Sequence, residues 1–224
     1  MSREQHEQQV RIVPLTLERS SLLPKHAQQC LFWEFDSKTG SQIGGGPDAR
    51  FEKEAWLSSV LLQWGTCGQL AVVGEGEAAR GVGQICYAPP SLISRAAEFP
   101  TAPVSTDAVL VTYAGVEDGH DFDDIAHRLL LACVADLARR GVRAVEAFGR
   151  EEAADASGAT KRCVNPADFF KNGGFLVAAE HHHYPRLRLE LSGTSLLWRA
   201  SVEEALAELV EEARLRPMLV GSSR

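Results

Sequence analysis

The spacing of apolar residues changes several times along this 224-residue chain, and each change marks an element. Residues 10–17 (VRIVPLTL) alternate weakly, as a strand does. Residues 20–35 (SSLLPKHAQQCLFWEF) predict a helix with Leu23, His26, Ala27 and Cys30 near one face. The Gly- and Ser-rich stretch 36–48 reads as a loop. A second helix is expected over 49–65, with Trp56, Val60 and Trp64 spaced by four and Gly65 as its stop.

Strand signals follow. Residues 68–76 (GQLAVVGEG) and 79–90 (ARGVGQICYAPP) flank a tight turn around 74–77, which predicts a hairpin. Residues 107–116 (DAVLVTYAGV) form a continuous apolar run, as for a strand buried on both faces. The longest helix is expected over 123–140, free of Gly and Pro, with Ile125, Leu129, Ala132, Cys133 and Leu137 as its stripe and Gly141 as its end. Then come a strand at 142–150, a short helix opened by Pro166, two strand-like runs within 175–191, and a last helix from Ser201 with a Glu204 capping box. The expected fold is α/β: a mixed, mostly antiparallel six- or seven-stranded sheet flanked by helices. The whole of 1–224 reads as one domain, with 1–9 and 217–224 as tails.

Composition narrows the function classes. A hydrophobic share of 45% with 24% charged residues is that of a globular chain. A net charge of −7 argues against nucleic acid or an anionic membrane as partner, because both need a basic face. No apolar run is long enough to span a bilayer, and the polar N-terminus does not resemble a signal peptide, so a cytoplasmic location is expected. The five cysteines are scattered, odd in number and without a CxxC pair, which reads as reduced thiols rather than a disulfide framework or a zinc site. His181 and His183 would share a face of a strand, but two such histidines do not make a metal site. Cys163 has no evident histidine partner in the sequence.

The stretch 116–130, VEDGHDFDDIAHRLL, joins the buried strand to the longest helix and carries five carboxylates: Glu117, Asp118, Asp121, Asp123 and Asp124. A helix N-terminus in that position is a natural anion site. The aspartates give it two readings. They surround a phosphate site, or Asp121 or Asp123 caps the helix and serves as its anion.

Two segments carry a resemblance: AVLVTYAGV…DDIAHRLLLACVADLARRGVRAVEAFG and CVNPADFFKNGGF. In order and spacing they resemble the GNAT N-acetyltransferase superfamily, over roughly residues 67–192. The phrases YAPP, RAAEFPTAP and YPRLRLEL look like an actinobacterial branch of these proteins. The resemblance implies a GNAT acetyltransferase-like fold. It also implies acetyl-CoA held in a V-shaped split between two parallel strands, with a small amine as acceptor. Ala114 and Val116 would then offer backbone groups to the pantetheine. The amides of Asp124, Ile125, Ala126, His127 and Arg128 would meet the pyrophosphate. The superfamily's loop pattern, Gln/Arg-x-x-Gly-x-Gly/Ala, falls on Asp121, Asp124 and Ala126, and only Ala126 matches.

Direct transfer needs a base for the amine proton and benefits from an acid for the departing thiolate. The family's tyrosine acid corresponds to Phe170, which has no proton and would pack beside the thioester. Glu146, on the strand beside the split, and Glu34, among Phe32, Trp33 and Phe35, are the candidate bases. Tyr87, Pro89, Pro90, Arg95 and Phe99 would border the acceptor, with Arg95 able to hold an anion. The alternative is a GNAT-fold binding or regulatory protein that has lost acetyl-CoA. A third reading is an accessory protein acting through homo-oligomers, a homodimer for instance, with the aromatic helices and the YPRLRLEL strand as interface.

Overall fold

A computed structural model describes residues 10–43, 47–152 and 162–191. The helix expected from Ser201 and both expected tails lie outside these residues. The strands are β1 (Arg11–Pro14), β2 (Gly68–Val73), β3 (Arg80–Ala88), β4 (Ala108–Val116), β5 (Ala144–Phe148), β6 (Leu176–Ala179) and β7 (Arg186–Glu190). The helices are α1 (Lys25–Gln29), α2 (Ser37–Ile43), α3 (Pro47–Gln63), α4 (Phe122–Arg139) and α5 (Ala167–Asn172). One seven-stranded sheet runs in the order β1-β2-β3-β4-β5-β7-β6, and β4 with β5 is its parallel pair. The expected hairpin is β2–β3, antiparallel, with Gly74 at φ +76° where a side chain would be strained.

The sheet separates two cores. On one face, Ile125, Leu129, Cys133 and Leu137 of α4 pack on Val82, Ile85, Val109, Val111, Val145 and Phe170. On the other, Leu57 and Val60 of α3 and Ala27 of α1 pack on Leu70, Leu110, Ala144 and Phe148. Trp33, Phe99 and Phe148 stack there at centroid separations of 5.1 and 4.3 Å.

Two expectations near the N-terminus need correction. The single helix expected over 20–35 is a 3-10 turn (Ser20–Leu22), then α1, then turns. Pro24 forces Leu23 into extended backbone (φ −54°, ψ 139°), and Cys30 (φ −80°, ψ 120°) ends α1. The expected loop at 36–48 contains α2 and the start of α3. Asp36 is the local cause of α2: its carboxylate accepts from the N–H groups of Lys38 (3.1 Å) and Thr39 (2.9 Å), while Glu98 accepts from Ser37 N–H (2.9 Å). The histidine run is not in a strand either. It lies between β6 and β7, and His181 Nδ1 accepts from the N–H groups of His183 and Tyr184.

The N-terminal segment lies close on β3. A Cβ at Gly81 would stand 1.7 Å from the Leu22 carbonyl oxygen. Gly81→Ala therefore forces two backbones apart. Chemical denaturation is expected to show a loss of roughly 1–3 kcal/mol with an unchanged slope.

Candidate active site

The site begins with a defect in the β3–β4 ladder. Cys86 pairs with Tyr113 and Tyr87 with Val111, so Thr112 is an extra residue on β4. Such a bulge bends its strand and re-aims the side chains beyond it. Before it, Val109 and Val111 face the α4 core; after it, Ala114 does, while Tyr113 turns to the other face. Pairing of β4 with β5 stops at the same level, with Val111↔Ala147 as its last partners. Beyond that point the two parallel strands separate.

Residues 163–167 lie in the gap. The Asn165 side chain, 3% exposed, accepts from Ala114 N–H (2.8 Å) and donates to Ala114 C=O (2.8 Å). One carboxamide thus replaces a peptide unit of a neighbouring strand. On the other side, Arg150 N–H donates to Asn165 C=O (2.9 Å) and Ala167 N–H to Arg150 C=O (2.9 Å). The Ala114 groups expected to serve pantetheine are engaged by the chain itself. Val116, two residues on along the strand, presents its backbone in the same direction and lines an open cleft.

That cleft has a volume of about 610 Å³. Gln84, Tyr113, Gly115 and Val116 line it from the sheet, His26 and Ala27 from α1, and Glu117, Asp118 and Phe122 from the acidic loop. Gln84 is 4% exposed, and its side-chain oxygen has no hydrogen-bond partner among the described residues. A Cβ on Gly115 would stand 2.6 Å from the Tyr113 ring and 3.0 Å from the Gln84 amide nitrogen, so the cleft owes its depth to a glycine. Burial pushes the Tyr113 phenol up to about 12, and the nearby Cys163 and Cys30 act in the same direction. It keeps its proton at neutral pH.

The acidic loop takes the capping form. Asp121 is the N-cap of α4, and its side chain accepts from Asp124 N–H (3.1 Å). Ile125 N–H donates to Asp121 C=O (3.2 Å). Ala126, His127 and Arg128 lie a turn inside, where helical geometry directs each N–H to the carbonyl four residues back. Of the five expected pyrophosphate amides, Asp124 and Ile125 are thus bonded at the cap and the other three sit within the helix. Phe122 and Asp123, at the first two positions of α4, lie before the first N–H that the helix's own ladder can receive. The Asp124 carboxylate lies 3.8 Å from Arg128.

Both candidate bases sit in ion pairs. Glu146 is fully buried on β5, and its carboxylate accepts from Arg186, from Arg188 (3.0 Å) and from Ser105 N–H (3.1 Å). Arg188 also forms a two-pronged bond to Asp107, 3.0 Å at each nitrogen. Burial pushes the Glu146 carboxyl up, but the bonds from Ser105, Arg186 and Arg188 outweigh it and hold the group below its ordinary value. Glu34, 5% exposed, is bonded to Lys53, 7% exposed. Burial alone would lower Lys53, yet Glu34 beside it raises it. Each carboxylate is thus held by a cation of the chain itself.

The remaining candidates are also engaged elsewhere. Phe170 is buried in the α4 core against Phe169 and Phe175 rather than at the cleft. The Tyr87 hydroxyl accepts from Gln69 and donates to Asp136, on the α4 side of the sheet. Arg95 donates to Phe32 C=O (2.9 Å) and Glu98 (2.8 Å) and lies over the Phe32 ring, so it holds no free anion site. Three groups missed in the sequence do converge here: Asn165, Tyr113 and the His26–Cys30–Cys163 cluster. Cys163 Sγ lies 3.3 Å from Cys30 Sγ and 3.5 Å from His26 Nε2, so the cysteine without an evident histidine has one. Hydrogen bonding from Cys163, then from His26, lowers the Cys30 thiol despite burial, and the same coupling raises Cys163.

Replacing Glu146 with Gln leaves Arg186 and Arg188 without their buried anion. A loss of about 3 kcal/mol at pH 7 is expected by thermal or urea unfolding. Because folding lowers the pKa of Glu146, its contribution is present above the ordinary carboxylate range near ~4.3 and is lost as pH falls through the folded value. The gap between Glu146→Gln and the parent chain should therefore narrow below about pH 4.

No family model matches the sequence, and comparison with curated proteins finds no match. Solved structures do match. The Salmonella typhimurium protein yncA, solved with its cofactor acetyl-CoA, aligns at 12% identity over 83% of this chain and 96% of its own, with a TM-score of 0.51. An acetyltransferase of the GNAT family from Streptococcus pneumoniae aligns at 10% identity over 81% of this chain and 99% of its own, with a TM-score of 0.50. Likeness at such identity concerns the path of the backbone: this chain has the fold of the GNAT acetyltransferases.

Proposed function

We propose that the chain is an N-acyltransferase that takes its acyl group from acetyl-CoA in the cleft below the β4–β5 split and passes it directly to a small amine. The observation that carries this reading is the Gln84 carboxamide oxygen, buried at the cleft and without a partner among the described residues. A buried acceptor left alone costs about 1–3 kcal/mol. A pantetheine amide N–H would satisfy it. Gly115 leaves the room such a chain requires, and the Val116 backbone lies farther along the same wall. A solved protein of the same fold is described with acetyl-CoA as its cofactor.

Bound acetyl-CoA would supply an activated acyl thioester. The residues of this chain then have separable tasks. Tyr113, protonated at neutral pH, lines the cleft floor and serves as the acid for the departing sulfur. With Glu146 and Glu34 in ion pairs, the carboxylates available to take the amine proton, directly or through water, are Glu117 and Asp118 at the rim. The same two charges favour a cationic amine as acceptor and weigh against an anionic one. The Phe122 and Asp123 amides, in the first turn of α4, offer donors to a pyrophosphate.

The alternative, a GNAT-fold binding protein without acetyl-CoA, is favoured by one observation: Asn165 occupies both backbone groups of Ala114. Calorimetry with acetyl-CoA separates the two. Under the enzyme reading the wild-type chain binds in the micromolar range and acetylates at least one member of a small-amine panel. Gln84→Leu then weakens binding about tenfold, ~1.4 kcal/mol, while the free protein becomes no less stable, because the orphan acceptor has gone. Gly115→Ala weakens binding by a similar factor. Absence of heat and of any thermal shift at millimolar acetyl-CoA would sink the enzyme reading. Binding gained by Asn165→Ala in that case would establish the alternative.

A further inference from the structure

The His26–Cys30–Cys163 cluster takes no part in the chemistry above. Its donors come from two segments far apart in the chain. His26 and Cys30 are four residues apart at α1, where Cys30 N–H donates to His26 C=O (2.9 Å), and Cys163 comes from the segment in the split. The Trp33 indole fixes the Cys163 backbone by donating to its carbonyl (2.8 Å). One nitrogen and two sulfurs thus lie within 4.8 Å of one another.

We infer that His26, Cys30 and Cys163 form a zinc site with three protein ligands and an open fourth position toward the cleft. The distances fit a metal better than a bond between the sulfurs. A disulfide needs its sulfurs at about 2.05 Å, and these stand at 3.3 Å. A tetrahedral zinc with bonds of about 2.3 Å to sulfur and 2.0–2.1 Å to nitrogen sets two sulfurs about 3.8 Å apart and sulfur and nitrogen about 3.6 Å apart. The observed 3.3 and 3.5 Å require shifts of a few tenths of an ångström.

The surroundings also fit. The three donors line a small cavity of about 30 Å³, with Glu34, Lys53, Gln84 and Tyr113 among its other walls. That is room for one water as fourth ligand. His26, Gln84 and Tyr113 line both this cavity and the large cleft, so the open position adjoins the cleft. Two thiolates balance a dication, and the Glu34–Lys53 ion pair adds no net charge. Thiolate and imidazole donors select a soft metal over magnesium or calcium. Three ligands with a fourth position open is the arrangement of catalytic zinc rather than of closed structural sites. The inference does not depend on acyl transfer.

Cobalt is the probe. The full chain, reduced and stripped of metal by a chelator, is titrated with Co2+. We expect one equivalent to bind, with thiolate-to-cobalt charge-transfer absorption and the visible bands of a tetrahedral ion, all abolished by one equivalent of Zn2+. Cys30→Ser and Cys163→Ser should each remove about half the charge-transfer intensity, since each removes one of two thiolates. His26→Ala, at an exposed position, should keep that intensity and bind at least tenfold more weakly. Cys86→Ser, nearby but outside the ligand set, should change nothing. A folded wild-type chain that takes up no stoichiometric cobalt or zinc overturns the site. So does cobalt absorption that survives both Cys30→Ser and Cys163→Ser.

Discussion

The molecule is organised by what happens where β4 and β5 part. A strand that loses its neighbour inside a protein leaves N–H and C=O groups with no water to receive them, and each such group is costly. The Thr112 bulge opens the gap. Asn165 makes it tolerable, since a carboxamide is the one side chain shaped to donate and accept as a peptide does. The placing of 163–167, the position of Cys163 and the short α5 all follow from bringing that side chain to Ala114. A cleft survives beyond it because the Asn165 bonds stop at Ala114 and the strand continues to Val116.

Buried charge here serves architecture. Glu146 looks catalytic in a sequence because it interrupts the apolar strand AVEAF. Its surroundings reverse that reading: two guanidiniums from β7 and one backbone N–H meet a carboxylate with no exposure. The antiparallel partner strand brings both arginines, two residues apart and so on one face. Glu34 and Lys53 repeat the logic at the small cavity beside the cleft. Polar groups that are buried and unmatched, such as Gln84, are better pointers to a ligand than those already paired.

The sequence disclosed what depends on local period. The continuous apolar run of β4, the stripe of α4 and the hairpin β2–β3 were legible because each repeats within a few residues. Asp121 as a cap was legible too, as one of two readings, because capping is a matter of three residues. Over 20–35 the apolar spacing favours a helix that Pro24 interrupts, and over 36–48 the glycines mask the helix that Asp36 starts. The site was legible only in outline. Val116 and the loop were visible from the strand–helix junction. The pairing of Asn165 with Ala114 spans 51 positions and that of Cys163 with Cys30 spans 133, and no short-range pattern encodes such meetings. The Thr112 bulge was equally invisible, since one extra residue alters no period until its partner strand is known.

Tyr113 and Gly115 fall two apart on β4, and Gln84 stands opposite Gly115 on β3. The tyrosine ring reclines over the glycine because nothing rises from that position to hold it upright. The floor of the cleft therefore belongs to two strands in one ladder and moves as they move. Its walls come from α1, the acidic loop and the segment ending at Pro166. The geometry at the floor is set within one ladder, while two of the walls above it, α1 and the segment of Cys163, are held to each other at His26, Cys30 and Cys163, so the width between them is fixed by side chains rather than by the sheet.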